Sequence, residues 1–342
     1  MKISVWSHDL SDRYLRQVVQ LGVDCLDFGR GDAFPGVREQ GYPDLDQVLQ
    51  IKRRIRSWGL DIHRVTLPDI GERFMQGLPG SEQELENACQ ALRVYGEAGI
   101  PLARQRFAGD ISPSSTPTYQ SVHRGGYVSR GERAALCSQP PSPGAPLCSQ
   151  PPSPGALSRW EPPAQEAIER WWERFCQVYA RLVPIAEAYG IRLAVHPSDT
   201  PYPGTPFGGL GFHRVIDAFP SRSVGYLYCV GTRAEAGGSA LVLDEIHHYG
   251  RQGRIFAVHF RNVRGSLATC GGFEEVLLDD GDMDMFQVLR ALQRVGFDGC
   301  LNPDHIPPLE GDGEDDGEGT GLGLAYSIGY IKALLAALAT VG

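Results

Sequence analysis

RLAVHPSD (192–199), VGYLYCVGT (224–232), IFAVHFRNV (255–263) and GCLNPDH (299–305) repeat one design. Each is a short apolar, β-branched run that closes on, or just before, a residue able to bind a metal: His196, Cys229, His259 and Asp304. Each run is followed by a stretch with helical periodicity. That is the pattern of successive parallel strands whose C-terminal ends meet around one point. Two imidazoles, a thiolate and a carboxylate would fill most of the coordination sphere of a divalent transition ion. The thiolate favours Mn²⁺, Fe²⁺ or Zn²⁺ over Ca²⁺ or Mg²⁺.

Outward from that block, the same rhythm continues. Strands are expected at 3–7, 23–28, 60–67 and 100–107, then at 191–196, 223–228, 254–259 and 299–303. Helices are expected at 11–21, 44–58, 81–98, 165–189, 210–219, 239–250, 283–295 and 321–339. Ser81 and Glu84 have the spacing of a capping box at the start of the third helix. Eight strand–helix units argue for an α/β fold, a single (β/α)8 TIM barrel, over an open doubly wound sheet. No Gly-rich phosphate loop follows the first strand, which speaks against a dinucleotide fold. The 342 residues suit one domain, 1–342, with a long insertion, because such barrels take ~250 residues.

The insertion is 110–164, after the fourth strand. Its tandem LCSQPPSPGAP and LCSQPPSPGAL at 136–157 carry too many prolines to pack as helix or strand. That part reads as an exposed, partly disordered loop, which makes Cys137 and Cys148 weak candidates for chemistry. VHRGGYVSRG (122–131) mixes His123, Arg124, Tyr127 and Arg130 with glycines and reads as a lid over a polar substrate, with His123 as a contact. EGDGEDDGEGTG (310–321) is acidic and Gly-rich, reads as mobile, and lacks the spacing of a calcium loop.

The formal charge of −9 disfavours nucleic acid and anionic membrane as partners. The start, MKISVWSHDL, is too short and polar for a signal peptide. The apolar run LAYSIGYIKALLAALATVG (324–342) carries Lys332 and reads as a last helix packed on the barrel, not a membrane span. Eight cysteines without a C-x-x-C spacing read as reduced thiols of a cytoplasmic protein.

RLAVHPSDTP, CVGT, VHFRNVR, DDGDMDMFQVLRAL, NPDH and AYSIGYIKALL, in that order, resemble the mannonate dehydratase family, one of the xylose-isomerase-like barrels. The resemblance covers 165–342 well, and the first hundred residues more loosely through GLPGSEQELENACQAL (77–92). It implies a lyase that removes water from D-mannonate, giving 2-dehydro-3-deoxy-D-gluconate. It implies Mn²⁺ or Fe²⁺ on His196, Cys229, His259 and Asp304, His305 and Tyr326 as the acid/base pair, and Arg261 as a substrate contact. A sugar acid is then the small-molecule partner, alongside a homodimer or higher homo-oligomer.

Two stretches depart from the family pattern. DFGRGDAFPGV (27–37) stands where a paired-histidine motif is usual, and RQRFAGD (104–110) where an aromatic–Asn run is usual. Arg104 and Arg106 become candidates for a substrate carboxylate. The metal and proton-transfer end is kept while the substrate end is rebuilt. Two alternatives stand: a sugar isomerase or epimerase of the same superfamily, against which Cys229 and the His305/Tyr326 pair argue, and an inactive sugar-acid binder.

Overall fold

Closing eight parallel strands into a barrel pairs both edges of every strand, so no row of backbone N–H and C=O groups is left open. In this computed structural model, residues 1–7, 9–109, 118–133, 164–198, 206–208, 210–312 and 321–340 are described. In chain order the strands are β1 (Lys2–Trp6), β2 (Cys25–Asp27), β3 (Asp61–Thr66), β4 (Leu102–Arg104), β5 (Thr118–Val122), β6 (Val128–Arg133), β7 (Arg192–Val195), β8 (Val224–Cys229), β9 (Ile255–His259), β10 (Asn262–Arg264), β11 (Gly272–Val276) and β12 (Cys300–Asn302). The helices are α1 (Asp12–Leu21), α2 (Val37–Gln40), α3 (Leu45–Ser57), α4 (Glu72–Met75), α5 (Glu82–Glu97), α6 (Gln165–Tyr189), α7 (Leu210–Ala218), α8 (Val230–Arg251), α9 (Leu267–Cys270), α10 (Met285–Arg294) and α11 (Leu322–Thr340). The barrel runs β1-β12-β9-β8-β7-β4-β3-β2, every pair parallel. All eight expected barrel strands are present.

Pleating decides which residues reach the mouth. On β7, Leu193 and Val195 join the large core between strands and helices, while Ala194 joins a small inner cluster with Leu102, Leu227, Phe256 and Ala257. The inner set on these strands continues upward to Arg104, His196, Cys229 and His259. The helices start where short polar side chains can hold free backbone amides. Ser11 accepts from the Tyr14 amide at 3.2 Å, Asp44 from Gln47 at 3.0 Å, and Asp284 from Phe286 and Gln287 at 2.9 and 3.1 Å. The capping box expected at Ser81 does not form. Ser81 Oγ donates to the Leu78 carbonyl at 2.7 Å, and Glu84 Oε2 takes the Gly71 amide at 2.6 Å.

Two features depart from the expected pattern. The first is a second, antiparallel sheet in the order β10-β11-β6-β5, set over the barrel. The stretch 122–131, expected as a lid, is a β-hairpin whose turn uses Gly125 and Gly126 at φ 67° and 89°. Its β6 edge pairs with β11, Gly272 opposite Arg133. That partner lies far along the chain, so local sequence could not reveal the pairing. The second is α8, which begins directly after Cys229 and not at 239, and bends where Gly238 takes φ 71°.

Helix α11 is long and apolar enough to cross a membrane by length and composition, with mean hydropathy 1.6 and 33% of it buried in the molecule. It packs on α1 and α10 through Leu324, Ile328, Ile331 and Leu338. Lys332 Nζ donates to the Leu21 carbonyl at 3.1 Å. Cys25, Cys89, Cys176, Cys229 and Cys300 are free thiols, whereas Cys270 is disulfide-bonded, contrary to the expectation of eight reduced cysteines. The tandem repeat at 136–157 with Cys137 and Cys148, and residues 313–320 of the acidic stretch, lie outside the described residues.

Candidate active site

The C-terminal ends of all eight barrel strands supply polar or aromatic side chains to one mouth. From β7 round to β12 these are His196, Cys229, His259 and Asp304. From β1 to β4 they are Trp6, Asp27, Arg64 and Arg104. One donor atom from each of His196, Cys229 and His259 lies within 4.8 Å of the other two, and all three residues are buried. Asp304 joins them, its Oδ2 3.0 Å from His259 Nδ1, and His196 Nε2 stands 3.2 Å from that same nitrogen. Neighbouring ligands on one transition ion sit about 3 Å apart when metal–nitrogen bonds are ~2.1 Å. The donor set therefore fits a divalent cation. His259 Nε2 is buried with no hydrogen bond.

Three of the four donors also have fitting protonation states, since ligands must offer lone pairs. His259 differs: burial would lower it, but Asp304 and Cys229 outweigh that and hold it above the ordinary histidine range. Burial, then the charge of Arg104, holds His196 well below the ordinary histidine range, so it is neutral. Its Nδ1 donates to the Pro197 carbonyl at 2.6 Å, which turns the Nε2 lone pair toward the site. Burial pushes the Cys229 thiol up, but the Arg261 charge and a hydrogen bond with His259 bring it down to about 7. Thr232 adds its amide at 3.4 Å and its hydroxyl at 3.1 Å to the sulfur at the start of α8. Burial would raise Asp304, yet His259 and His305 hold it well below the usual carboxylate range. Trp6 Nε1 donates to its other oxygen at 3.3 Å.

Arg261 is buried behind these donors. It donates to Glu235 Oε1 at 2.5 Å and Thr232 Oγ1 at 2.9 Å, and its Nε lies 3.8 Å from Asp304 Oδ2. Gly231 allows this approach, since a Cβ there would meet the Arg261 side chain at 2.4 Å. Glu235, fully buried, is lifted to about 7 by desolvation despite that arginine.

His305 is the one described non-glycine residue with positive φ, 48°. That strained backbone aims its Nδ1 at Glu275 Oε1, 2.6 Å away on β11. Its Nε2 is left facing Asp304 at 3.8 Å. Tyr326 stands further out on α11, its hydroxyl accepting from Arg124 Nη2 at 3.2 Å beside Asp279. Among the described residues, no hydrogen bond joins Tyr326 to the donor cluster. His123 packs within the hairpin, stacked on Tyr127 with centroids 4.9 Å apart and Nε2 2.9 Å from Ser129 Oγ. Arg106 lies 3.7 Å from Asp69 at the rim. Asp284 caps α10 and Asp282 takes the Gly265 amide at 2.7 Å, so both serve the backbone. A cleft of about 670 Å³ beside Glu72, Arg170, Trp171 and Arg174 holds none of these groups.

Sequence reasoning missed Trp6, Asp27, Arg64, Glu235 and Glu275. The strand-end rule that found His196 would have found Trp6 and Asp27 but not Arg64, which lies two residues inside β3.

A closed eight-stranded barrel with a buried His–Cys–His cluster that could hold a metal ion, beside a carboxylate-held histidine, has the architecture of an enzyme. The family model described as D-mannonate dehydratase (UxuA) matches residues 37–341, and the chain belongs to that family. It is thus a sugar-acid dehydratase, a carbon–oxygen lyase. Mannonate dehydratases of Streptococcus equi subsp. zooepidemicus and Streptococcus pneumoniae are 27% and 26% identical to it, covering 80% of this chain and 77% and 76% of theirs. The fold matches the crystal structure of mannonate dehydratase from Streptococcus suis with TM-score 0.76 at 23% identity, over 98% of this chain and 94% of that one. A structure of L-ribulose 3-epimerase shares the fold more distantly, TM-score 0.54 at 13% identity, over 98% and 95%.

Proposed function

We propose that the chain converts D-mannonate to 2-dehydro-3-deoxy-D-gluconate and water, with Mn²⁺ or Fe²⁺ held by His196, Cys229, His259 and Asp304. The observation that carries this is the convergence of one donor from each of three strand ends within 4.8 Å. When bound, the ion supplies a Lewis acid for the charge that develops as the substrate is deprotonated. The C2 proton of a sugar acid is weakly acidic because its removal loads a second negative charge beside a carboxylate. The reaction then needs one group to take that proton and another to protonate the departing C3 hydroxyl.

His305 and Tyr326 are the proposed pair. Glu275 fixes the His305 ring through Nδ1, so Nε2 is the atom that exchanges a proton with substrate. The Tyr326 hydroxyl, partly open at the rim and bonded to Arg124, closes the site from the solvent side. Arg261 keeps Cys229 and Asp304 anionic and oriented. Arg104 supplies positive charge for the substrate carboxylate, with Arg106 as a second candidate, while His123, buried in the hairpin, holds that hairpin together. We further propose a cytoplasmic protein that works as a homodimer or higher homo-oligomer.

The test is a panel of hexonates and pentonates incubated with Mn²⁺ or Fe²⁺. The expected result is a 2-keto-3-deoxy acid from D-mannonate in preference to its epimers. Epimerisation or ketose formation without loss of water would overturn the proposal.

A further inference from the structure

Arg64 is the most conspicuous charge in the molecule that nothing yet described uses. It is fully buried, and none of its three guanidinium nitrogens makes a hydrogen bond. Its nearest carboxylate, Asp27, is 3.8 Å from Nε and already engaged: Ser4 Oγ and Asn302 Nδ2 donate to Oδ2 at 3.0 and 2.7 Å, and His63 Nδ1 lies 3.1 Å from Oδ1. A buried guanidinium without hydrogen bonds is costly, and structures that tolerate one usually give it an anion. The group stays protonated, since burial lowers it only to about 10.

Its setting is that of a binding group. The guanidinium lies over the Trp6 ring, 4.7 Å from the centroid. Stacking engages the face only, and the edge, which carries every N–H and suits a planar, two-pronged acceptor, is buried without a hydrogen-bond partner. Trp6 also touches the metal donors, its ring 5.4 Å from that of His259 and its Nε1 on Asp304. On the adjacent strand, Arg104 has its Nε buried without a hydrogen bond, and its charge acts on both Arg64 and His196. Arg104 is half-buried and so reachable from the mouth. Two like charges side by side in a desolvated wall repel each other until an anion sits between them.

We infer that Arg64, together with Arg104, forms the carboxylate-binding pocket of this barrel and anchors the sugar acid against the metal donors. The inference rests on the sugar-acid reading above and deepens it. It also explains selectivity: a neutral polyol or ketose leaves both guanidinium groups unpaired, so only an acid is held.

The test uses the full chain loaded with Mn²⁺, titrated calorimetrically with D-mannonate and, as the neutral counterpart, D-mannitol. The wild type should bind mannonate and not mannitol. Arg64→Met should weaken mannonate binding and raise KM by roughly 10- to 100-fold, with Mn²⁺ binding and the thermal midpoint little changed. Arg64→Ala should regain binding when guanidinium is added, a rescue that a purely structural role would not give. If Arg64→Met fails to fold, Arg104→Met should weaken mannonate in the same direction. Mannonate binding unchanged in Arg64→Met and Arg104→Met, or absent from the wild type, overturns the pocket. Tight, Arg64-dependent binding of mannonate without product leaves the pocket standing and overturns the dehydratase reaction instead.

Discussion

The two halves of the barrel mouth handle charge in opposite ways. On the β7–β12 side each cationic group is paired with a carboxylate, His259 with Asp304, His305 with Glu275 and Arg261 with Glu235, although His259 Nε2, Arg261 Nε and Glu235 Oε2 make no hydrogen bond. On the β1–β4 side Asp27 is fully engaged, but Arg64 and Arg104 keep unpaired nitrogens. In the first half the candidate metal ligands hold one another in place through hydrogen bonds and ion pairs. The second half leaves positive charge unanswered, as a surface built for an anion would. The proposed reaction would use both, because a bound ion would have to meet the substrate at a fixed distance from the group that anchors it.

The largest effect should come from breaking the interlocked half. Cys229→Ser should lower metal affinity on the order of 100-fold or more and reduce turnover to background, read by metal content after dialysis and by product formation. Retained metal with full turnover would remove the thiolate from the site. Next, Tyr326→Phe should retain the metal and lower kcat about 100-fold, because the hydroxyl is lost while the donor cluster is untouched. A kcat equal to wild type would assign proton transfer to other groups.

The smallest effect sharpens the contrast on the β1–β4 side. Burial pushes the Asp27 carboxyl up, but His63, Arg64 and Asn302 outweigh it and hold the group at about 2. A folded-state value below the unfolded one means stability that is present above about pH 4 and lost as pH falls toward 2. The stability difference between wild type and Asp27→Asn should shrink by about 2 kcal/mol over that window, measured by urea unfolding at each pH. A difference that does not vary with pH would mean that the surrounding donors do not favour the charged form.

Much of this architecture was legible in the sequence, for a physical reason. Barrel strands bury both faces, so RLAV, VGYLYC and IFAVH read as apolar runs, and a His or Cys at the end of such a run is conspicuous. The four candidate ligands could thus be named from local context alone. Trp6 and Asp27 occupy equivalent strand ends and Arg64 lies two residues inside β3, but tryptophan, aspartate and arginine are unremarkable in VWS, LDF and HRV. Glu275 could not have been found at all. It acts through a sheet in which β6 and β11, some 140 residues apart, pair only in the folded chain. The same distance hid the hairpin at 118–133, whose glycines and arginines suggested a mobile lid until β11 gave it an edge to join. His305 shows the limit from the other side: its neighbour Asp304 marks it, but the positive φ that turns its ring onto Glu275 leaves no trace in NPDH.

The most direct measurement is X-ray absorption at the metal edge of the Mn²⁺-loaded chain. The account predicts one sulfur scatterer together with nitrogen and oxygen donors, and loss of the sulfur in Cys229→Ser. A first shell of oxygen and nitrogen alone in the wild type would contradict it.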